Sequence, residues 1–282
     1  MSYCYLFSTF GKGVEMEEKK VPEYEEMHKV LDFALDAGRI LLKNGAEIFR
    51  VEETIDYICK RYHIKEVDTF VLSNGIFITA EKEGKEMFAK VKHIPLSGTH
   101  LGIVTAVNDL SREVTARRIS LDEAIEKLKE IEKMPPKKRY FRILAAGMGS
   151  GGFCYLLQAS LFESVVAFVI GMLLYTFVTF TEKHPMSKVI VNIVGAGLVT
   201  VLALLVCNFC FPFLRRDKII IGSILPLVPE VAFTNAIRDI ARSDFISGTV
   251  RMIDAILVFV YVAIGVGVVL TLYQNMLGGF AL

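Results

Sequence analysis

Residues 189–211, VIVNIVGAGLVTVLALLVCNFCF, run for more than five helical turns without one charged side chain. An α-helix rises 1.5 Å per residue and needs about 20 apolar residues to cross the hydrocarbon core of a bilayer, so this stretch reads as a membrane span. Segments at about 141–160, 164–181, 219–235 and 252–273 have comparable length and apolarity. Together they predict an α-helical polytopic membrane domain over residues 137–282, with about five transmembrane helices. The rest of the chain is a different physical object. From residue 141 onward the sequence holds 9 of the 32 basic and 7 of the 31 acidic residues, so most of the charge lies in the first 140. That even balance points neither to nucleic acid nor to a polyanionic partner.

Basic residues orient the spans. Lys137, Lys138, Arg139 and Arg142 precede the first, Lys183 and Lys188 lie between the second and third, and Arg238, Arg242 and Arg251 lie between the fourth and fifth. These groups share one side, and the positive-inside rule makes it the cytoplasm. Arg215, Arg216 and Lys218 fall on the other side and oppose the assignment. The majority places the N-terminal domain in the cytosol and the protein in the plasma membrane as a multi-pass component. Gly147-x-x-x-Gly151, with Gly195, Gly197, Gly265 and Gly267, supplies small residues at spacings suited to close contact with further helices.

The fourth segment carries the chemistry. In Ile224-Leu225-Pro226-Leu227-Val228-Pro229-Glu230 two prolines remove two backbone donors and obstruct the preceding turn, which predicts a broken helix. Pro229 suits the first position of a new half-helix, and Glu230 in its first turn complements the positive end of the dipole. Broken helices at membrane depth are where secondary transporters hold small polar solutes. Glu230, Thr234 and Arg238 share one face at i, i+4 spacing, with Asn235 and Asp239 beside them, so Pro226, Pro229, Glu230, Thr234, Asn235, Arg238 and Asp239 form the candidate path for substrate or protons. Asn192, Asn208 and Asp254 are weaker candidates.

In the charged half, a tail over 1–22 lacks the basic start and cleavage site of a signal peptide. A cytosolic α+β domain is predicted over 23–136, in the order ααβββαα. Val30, Ala34, Ala37 and Leu41 mark one face of a first helix, which Gly45 ends with a left-handed cap. Ile48, Val51, Ile55 and Ile58 mark a second, whose polar side carries Glu47, Arg50, Glu52 and Glu53; Arg50 can reach a carboxylate three residues away. Alternation in 66–93 predicts a three-stranded meander, with Ser73-Asn74-Gly75 and Glu83-Gly84-Lys85 as turns, Ile76, Ile78 and Ala80 on one face, and Met87, Ala89 and Val91 on the last strand. Helices follow over 101–118 and, behind a Ser120/Glu123 capping box, to Lys133; Pro135-Pro136 ends the domain. The histidines lack ligand spacing, and Cys207-x-x-Cys210 has no second pair, so neither a metal nor a cofactor is expected.

The stretches Leu42-Lys43-Asn44-Gly45-Ala46-Glu47-Ile48-Phe49-Arg50-Val51-Glu52-Glu53-Thr54, Asn108-Asp109-Leu110-Ser111-Arg112, and Pro226 through Asp239 with Ser247-Gly248 resemble the threonine/serine exporter family. The resemblance covers about residues 25–275. It implies a secondary exporter of small polar metabolites driven by the proton gradient, not an enzyme. It further implies the split form, which works with a second, smaller membrane subunit, one such pair being associated with succinate export; assembly with copies of itself is the alternative. Where the family places Pro-Gly this chain has Pro229-Glu230, and where it places Gly-Gly it has Gln158-Ala159. A carboxylate beside the half-helix end would repel a dicarboxylate and attract an ammonium group, which favours a threonine- or serine-type substrate over succinate. Two other classes compete. A membrane-anchored ligand sensor would not need a broken, charged span, and an intramembrane hydrolase using Glu230 and Asp239 would need two carboxylates on one face, which nine positions do not give.

Overall fold

The computed structural model describes residues 25–276, apart from 65, 83–84, 96–97 and 183–185. The tail 1–22, the tip of the second predicted turn at Glu83-Gly84, and Lys183 lie outside the described residues. The chain divides into two compact units, one formed by residues 1–135 with 234–250 and the other by 136–233 with 251–282.

In the first unit, helix α1 (25–43) buries Val30, Ala34, Ala37 and Leu41, and α2 (Ile48–Arg61) buries Ile48, Val51, Ile55 and Ile58. Between them Gly45 takes φ +86°, its N–H bonds Leu42 O at 3.2 Å, and Ala46 N–H bonds Leu41 O at 3.0 Å. That pair of bonds is a Schellman cap, which satisfies carbonyls the helix end leaves open. Strands β1 (Glu66–Leu72), β2 (Gly75–Lys82) and β3 (Lys85–His93) form an antiparallel meander in that order. Ile76, Ile78 and Ala80 are buried as the alternation predicts.

The phase of β3 corrects the reading of that strand. Phe88 is buried, while Ala89 and Val91 face outward. On the inward phase Lys90 Nζ lies 2.5 Å from Asp32 Oδ1 and Lys92 Nζ 2.5 Å from Asp36 Oδ1, so α1 meets this strand through ion pairs. Lysine stems can cover apolar surface while their ammonium groups reach water, which disguises an inward strand face as a polar one. Helices α3 (Leu101–Thr115) and α4 (Leu121–Glu132) complete the layer. His100 Nδ1 caps α3 by accepting from Ile103 N–H, and Ser120 Oγ accepts from Glu123 N–H.

Helices α5 (Arg139–Leu156), α6 (Leu161–Thr181), α7 (Lys188–Leu205), α8 (Arg216–Ser223), α9 (Glu230–Ala241) and α10 (Phe245–Met276) follow in order. A π-helical turn, Val206–Cys210, extends α7, and a 3-10 turn, Leu225–Leu227, extends α8. Among the described residues three helical stretches are long and apolar enough to cross a membrane: Leu161–Thr181, Lys188–Cys210 and Phe245–Met276. The bent pair Arg216–Leu227 and Glu230–Ala241 makes up to four. Against the expected five, the segment read at 141–160 forms α5, which carries Arg139 and Arg142 in its first turn and is not among them.

The small residues meet neighbouring helices closely, as their spacing predicts, and they do so within the chain. A Cβ on Gly147 would sit 3.0 Å from Phe168 O, one on Gly151 2.9 Å from Ser164 O, and one on Gly265 2.3 Å from Ile193 O. Gly267 alone of the predicted set has nothing within 4 Å. Pattern reading also missed a full capping box at the start of α6, where Ser160 Oγ accepts from Glu163 N–H and Glu163 Oε2 accepts from Ser160 N–H. The buried Glu163 carboxylate accepts a further bond from Arg215 N–H at 2.8 Å and lies 3.8 Å from Arg215 Nε. Lys218 Nζ donates to Gln158 O, and Arg216 lies over the Tyr273 ring. The three cations that oppose the charge rule are thus each locally partnered. At the other end of α5 and α6, Arg142 pairs with Glu182 and donates to the Tyr175 hydroxyl.

Candidate functional site

The two prolines break the fourth apolar segment as expected. Pro226 sits within the 3-10 turn, Val228 is extended at φ −66° and ψ 130°, and the pieces on either side are bent by 69°. Helix α9 starts at Glu230, and Pro229 O accepts its first bond, from Phe233 N–H at 2.9 Å. Pro229 therefore stands just before the first helical residue, one position earlier than the sequence suggests. Proline is suited to both positions because its missing N–H is one the helix start cannot use. Leu227 is buried, its side chain lying 3.4 Å from where a Cβ on Gly195 would stand. Phe233 meets Phe259 edge to face at 6.0 Å.

Helix α9 carries two unlike faces. Glu230, Thr234 and Arg238 are exposed, whereas Asn235, Ala236 and Asp239 are buried. Glu230 and Asp239 therefore leave the helix from different faces, the arrangement least suited to a carboxylate pair acting on one bond. Among the described residues no group of three or more His, Cys, Asp and Glu side chains could hold a metal ion.

Residues 234–250 belong to the first unit, and there the two motifs read from sequence meet. Asn235 Nδ2 donates to Gly45 O at 2.9 Å. Arg238 Nη1 donates to Glu47 Oε1 at 2.5 Å, and Arg50 Nε lies 3.8 Å from the same oxygen. The Arg242 guanidinium stacks 3.8 Å from the centre of the Phe49 ring. The Glu47 side chain retains 12% of its exposure and Arg238 57%, so the carboxylate is the enclosed partner. Glu52 accepts from Val71 N–H at 3.3 Å; burial pushes its carboxyl above the usual glutamate range, opposed by that bond and assisted by the nearby charges of Asp244 and Asp239. Gly248 packs on α9, where a Cβ would stand 2.6 Å from Ile240 Cγ1 and 2.9 Å from Ile240 N.

Of the predicted residues, Gly45, Glu47, Arg50, Asn235 and Arg238 are thus joined in one network, with Glu52 and Asp239 near it. Glu53 turns outward, accepting from the Tyr57 hydroxyl. Pro226 and Pro229 flank the break, Glu230 opens α9 and Thr234 stands one turn along it. Sequence reasoning missed Phe49 and Arg242. The signal available was spacing, since Arg242 follows Asn235 and Arg238 by seven and four residues and so continues their stripe.

The comparisons with known proteins agree with the motif resemblance. A family model described as "Putative threonine/serine exporter" matches residues 32–273. The chain is similar to a protein of Klebsiella aerogenes named "Probable succinate transporter subunit YjjP", at 23% identity over 88% of this chain and 95% of that one. It is similar to the protein of the same name in Escherichia coli K12, at 23% identity over 88% and 96%. An uncharacterized protein of Schizosaccharomyces pombe matches at 23% identity over 93% of this chain but 35% of its own length. No solved structure matches.

Proposed function

The chain belongs to the threonine/serine exporter family, and from that premise we propose that it is a subunit of a secondary transporter exporting threonine- or serine-type amino acids across the plasma membrane in exchange for protons. The observation that carries this reading is the 69° break at Pro226–Pro229 with Glu230 exposed at the start of the second half-helix. A half-helix N-terminus offers unbonded backbone N–H groups that suit the carboxylate every amino acid carries. A carboxylate in the same turn suits its ammonium group. One zwitterion therefore meets both charges within a single turn, and Thr234 supplies a hydroxyl one turn along the same exposed face.

The names of the two bacterial relatives favour a second reading, export of succinate. On that reading Glu230 opposes the substrate in place of attracting it. Flux of threonine, serine and succinate through Glu230→Gln and Glu230→Gly separates the two. Export of amino acids predicts that both variants lose threonine and serine flux. Export of succinate predicts that Glu230→Gly raises succinate flux. Unchanged flux of all three in both variants removes Glu230 from the mechanism.

The rest of the assembly follows the same reading. The first unit is cytosolic, and the chain acts with a smaller membrane subunit or with further copies of itself. Both bacterial relatives are named as transporter subunits, and the apolar stretch of α10 is only 17% buried, which leaves most of its surface for lipid or another helix. A sensor anchored by plain spans would have no use for the break.

A further inference from the structure

Three contacts in the first unit share one register. Asn235, Arg238 and Arg242 follow one another by three and four positions, which places them along one stripe of α9 and its last turn. Gly45, Glu47 and Phe49 are alternate residues of the segment that leaves the Schellman cap and enters α2. They pair in order, 45 with 235, 47 with 238 and 49 with 242. Glu47 is extended at φ −65° and ψ 143° and Phe49 lies in the first turn of α2, so the three residues follow the chain from the cap into the helix while their partners follow α9 in the same order. A carbonyl, a carboxylate and an aromatic ring each find a partner of matching chemistry.

The carbonyl is fixed by the backbone. Gly45 holds its left-handed φ to close the α1 cap, and the same peptide presents its oxygen to Asn235. The carboxylate is also committed. Glu47 is enclosed and its Oε1 is shared by Arg238 and Arg50, so it does not offer a free anion to a solute.

Resting on the exporter reading above, we infer that this parallel zipper is a positioning element of the export path. The α1–α2 turn holds residues 235–242, the part of the chain that continues from the break. Glu47 is a positioning residue for transport: it acts through Arg238 and touches no substrate. In the same arrangement Arg238 is a structural cation, not the group that binds a substrate carboxylate.

Charge exchange tests this in the full chain, in cells with every other gene intact. Glu47→Arg places three cations together and Arg238→Glu places two carboxylates together. Each single variant is expected to lose at least ten-fold in maximal export rate, with the half-saturating substrate concentration changed less than about two-fold. The double variant Glu47→Arg/Arg238→Glu restores the pair with its charges reversed and is expected to return to within about three-fold of the parent. A double variant as inactive as Arg238→Glu overturns the inference, because it means that a cation at position 238 is needed for the substrate itself. So do single variants that export normally.

A second readout separates this from the exporter reading. Cys59 is buried in the core of the first unit, and its reaction with a thiol reagent reports opening of that unit whether or not anything is transported. Labelling faster in both singles and slow again in the double supports the zipper even if none of the three solutes is exported. Singles whose effects simply add in the double overturn it.

Discussion

Replacing Gly45 by alanine tests the joint between α1 and α2 from the backbone outward. At φ +86° an L-residue pays about 1–2 kcal/mol for bringing Cβ against its own carbonyl. The new Cβ would also stand 2.9 Å from Thr99 Oγ1 and 3.0 Å from Thr99 Cγ2, so the threonine must leave its place. An off-rotamer side chain adds about 0.5–1.5 kcal/mol, giving a total near 2–3 kcal/mol. At about 1.4 kcal/mol per factor of ten, that raises the open population of the first unit roughly 30- to 140-fold. The assay is thiol labelling of Cys59 in a variant whose other cysteines are replaced. Burial pushes the Cys59 thiol up to about 12, so the folded unit reacts slowly and the rate follows opening. Gly98→Ala is the control, since nothing lies within 4 Å of its Cβ, and its rate should stay within about two-fold of the parent. In a Thr99→Ala background, Gly45→Ala should recover only the steric part, about five-fold. Labelling of Gly45→Ala at the parent rate, or complete rescue by Thr99→Ala, would show that the left-handed cap is not what makes glycine necessary here.

Further outcomes follow from other residues. Glu52 has a folded-state carboxyl above the ordinary glutamate range, so its contribution to stability is present below that range and is lost as pH rises through the folded value. Glu52→Gln keeps an acceptor for Val71 N–H and should stabilise the first unit at pH values above the ordinary glutamate range, flattening the Cys59 labelling profile; an unchanged profile refutes this. Cysteine at position 187 should be shielded from an impermeant reagent in intact cells and cysteine at 274 labelled, and the reverse pattern inverts the proposed topology. The purified chain held as a monomer in vesicles should export none of the three solutes, and full flux from that monomer removes the need for a partner or for self-assembly.

What could be read from sequence was local, and what could not was long-range. The cap at Gly45, the meander and the proline break each depend on a few neighbouring residues whose backbone preferences are strong. The phase of β3 was hidden because Lys90 and Lys92 face inward toward Asp32 and Asp36, and a polar alternation looks like a solvent face when the partner carboxylates lie 58 and 56 residues away. The zipper was half visible. Both of its segments are recognisable as motifs, yet the separation of 190 positions from Gly45 to Asn235 carries no sign that the motifs meet. The count of spans was least legible, since the break leaves α8 short, α9 divided between the units, and α10 longer than a bilayer needs.

The two ion pairs that fasten β3 to α1 give the first unit a seam of a different kind from its core. Lys90, Asp32, Lys92 and Asp36 all keep between 31% and 48% of their side-chain exposure, so dissolved salt reaches them. Pairs of this sort contribute about 0.2–1 kcal/mol each and weaken as the Debye length shrinks from about 10 Å at 0.1 M to about 3 Å at 1 M. Ile76, Ile78 and Val71, packed on α1 and α2, feel no such screening. Ionic strength can therefore loosen the third strand while the first two stay closed, so that local opening of this unit begins at the edge of its sheet.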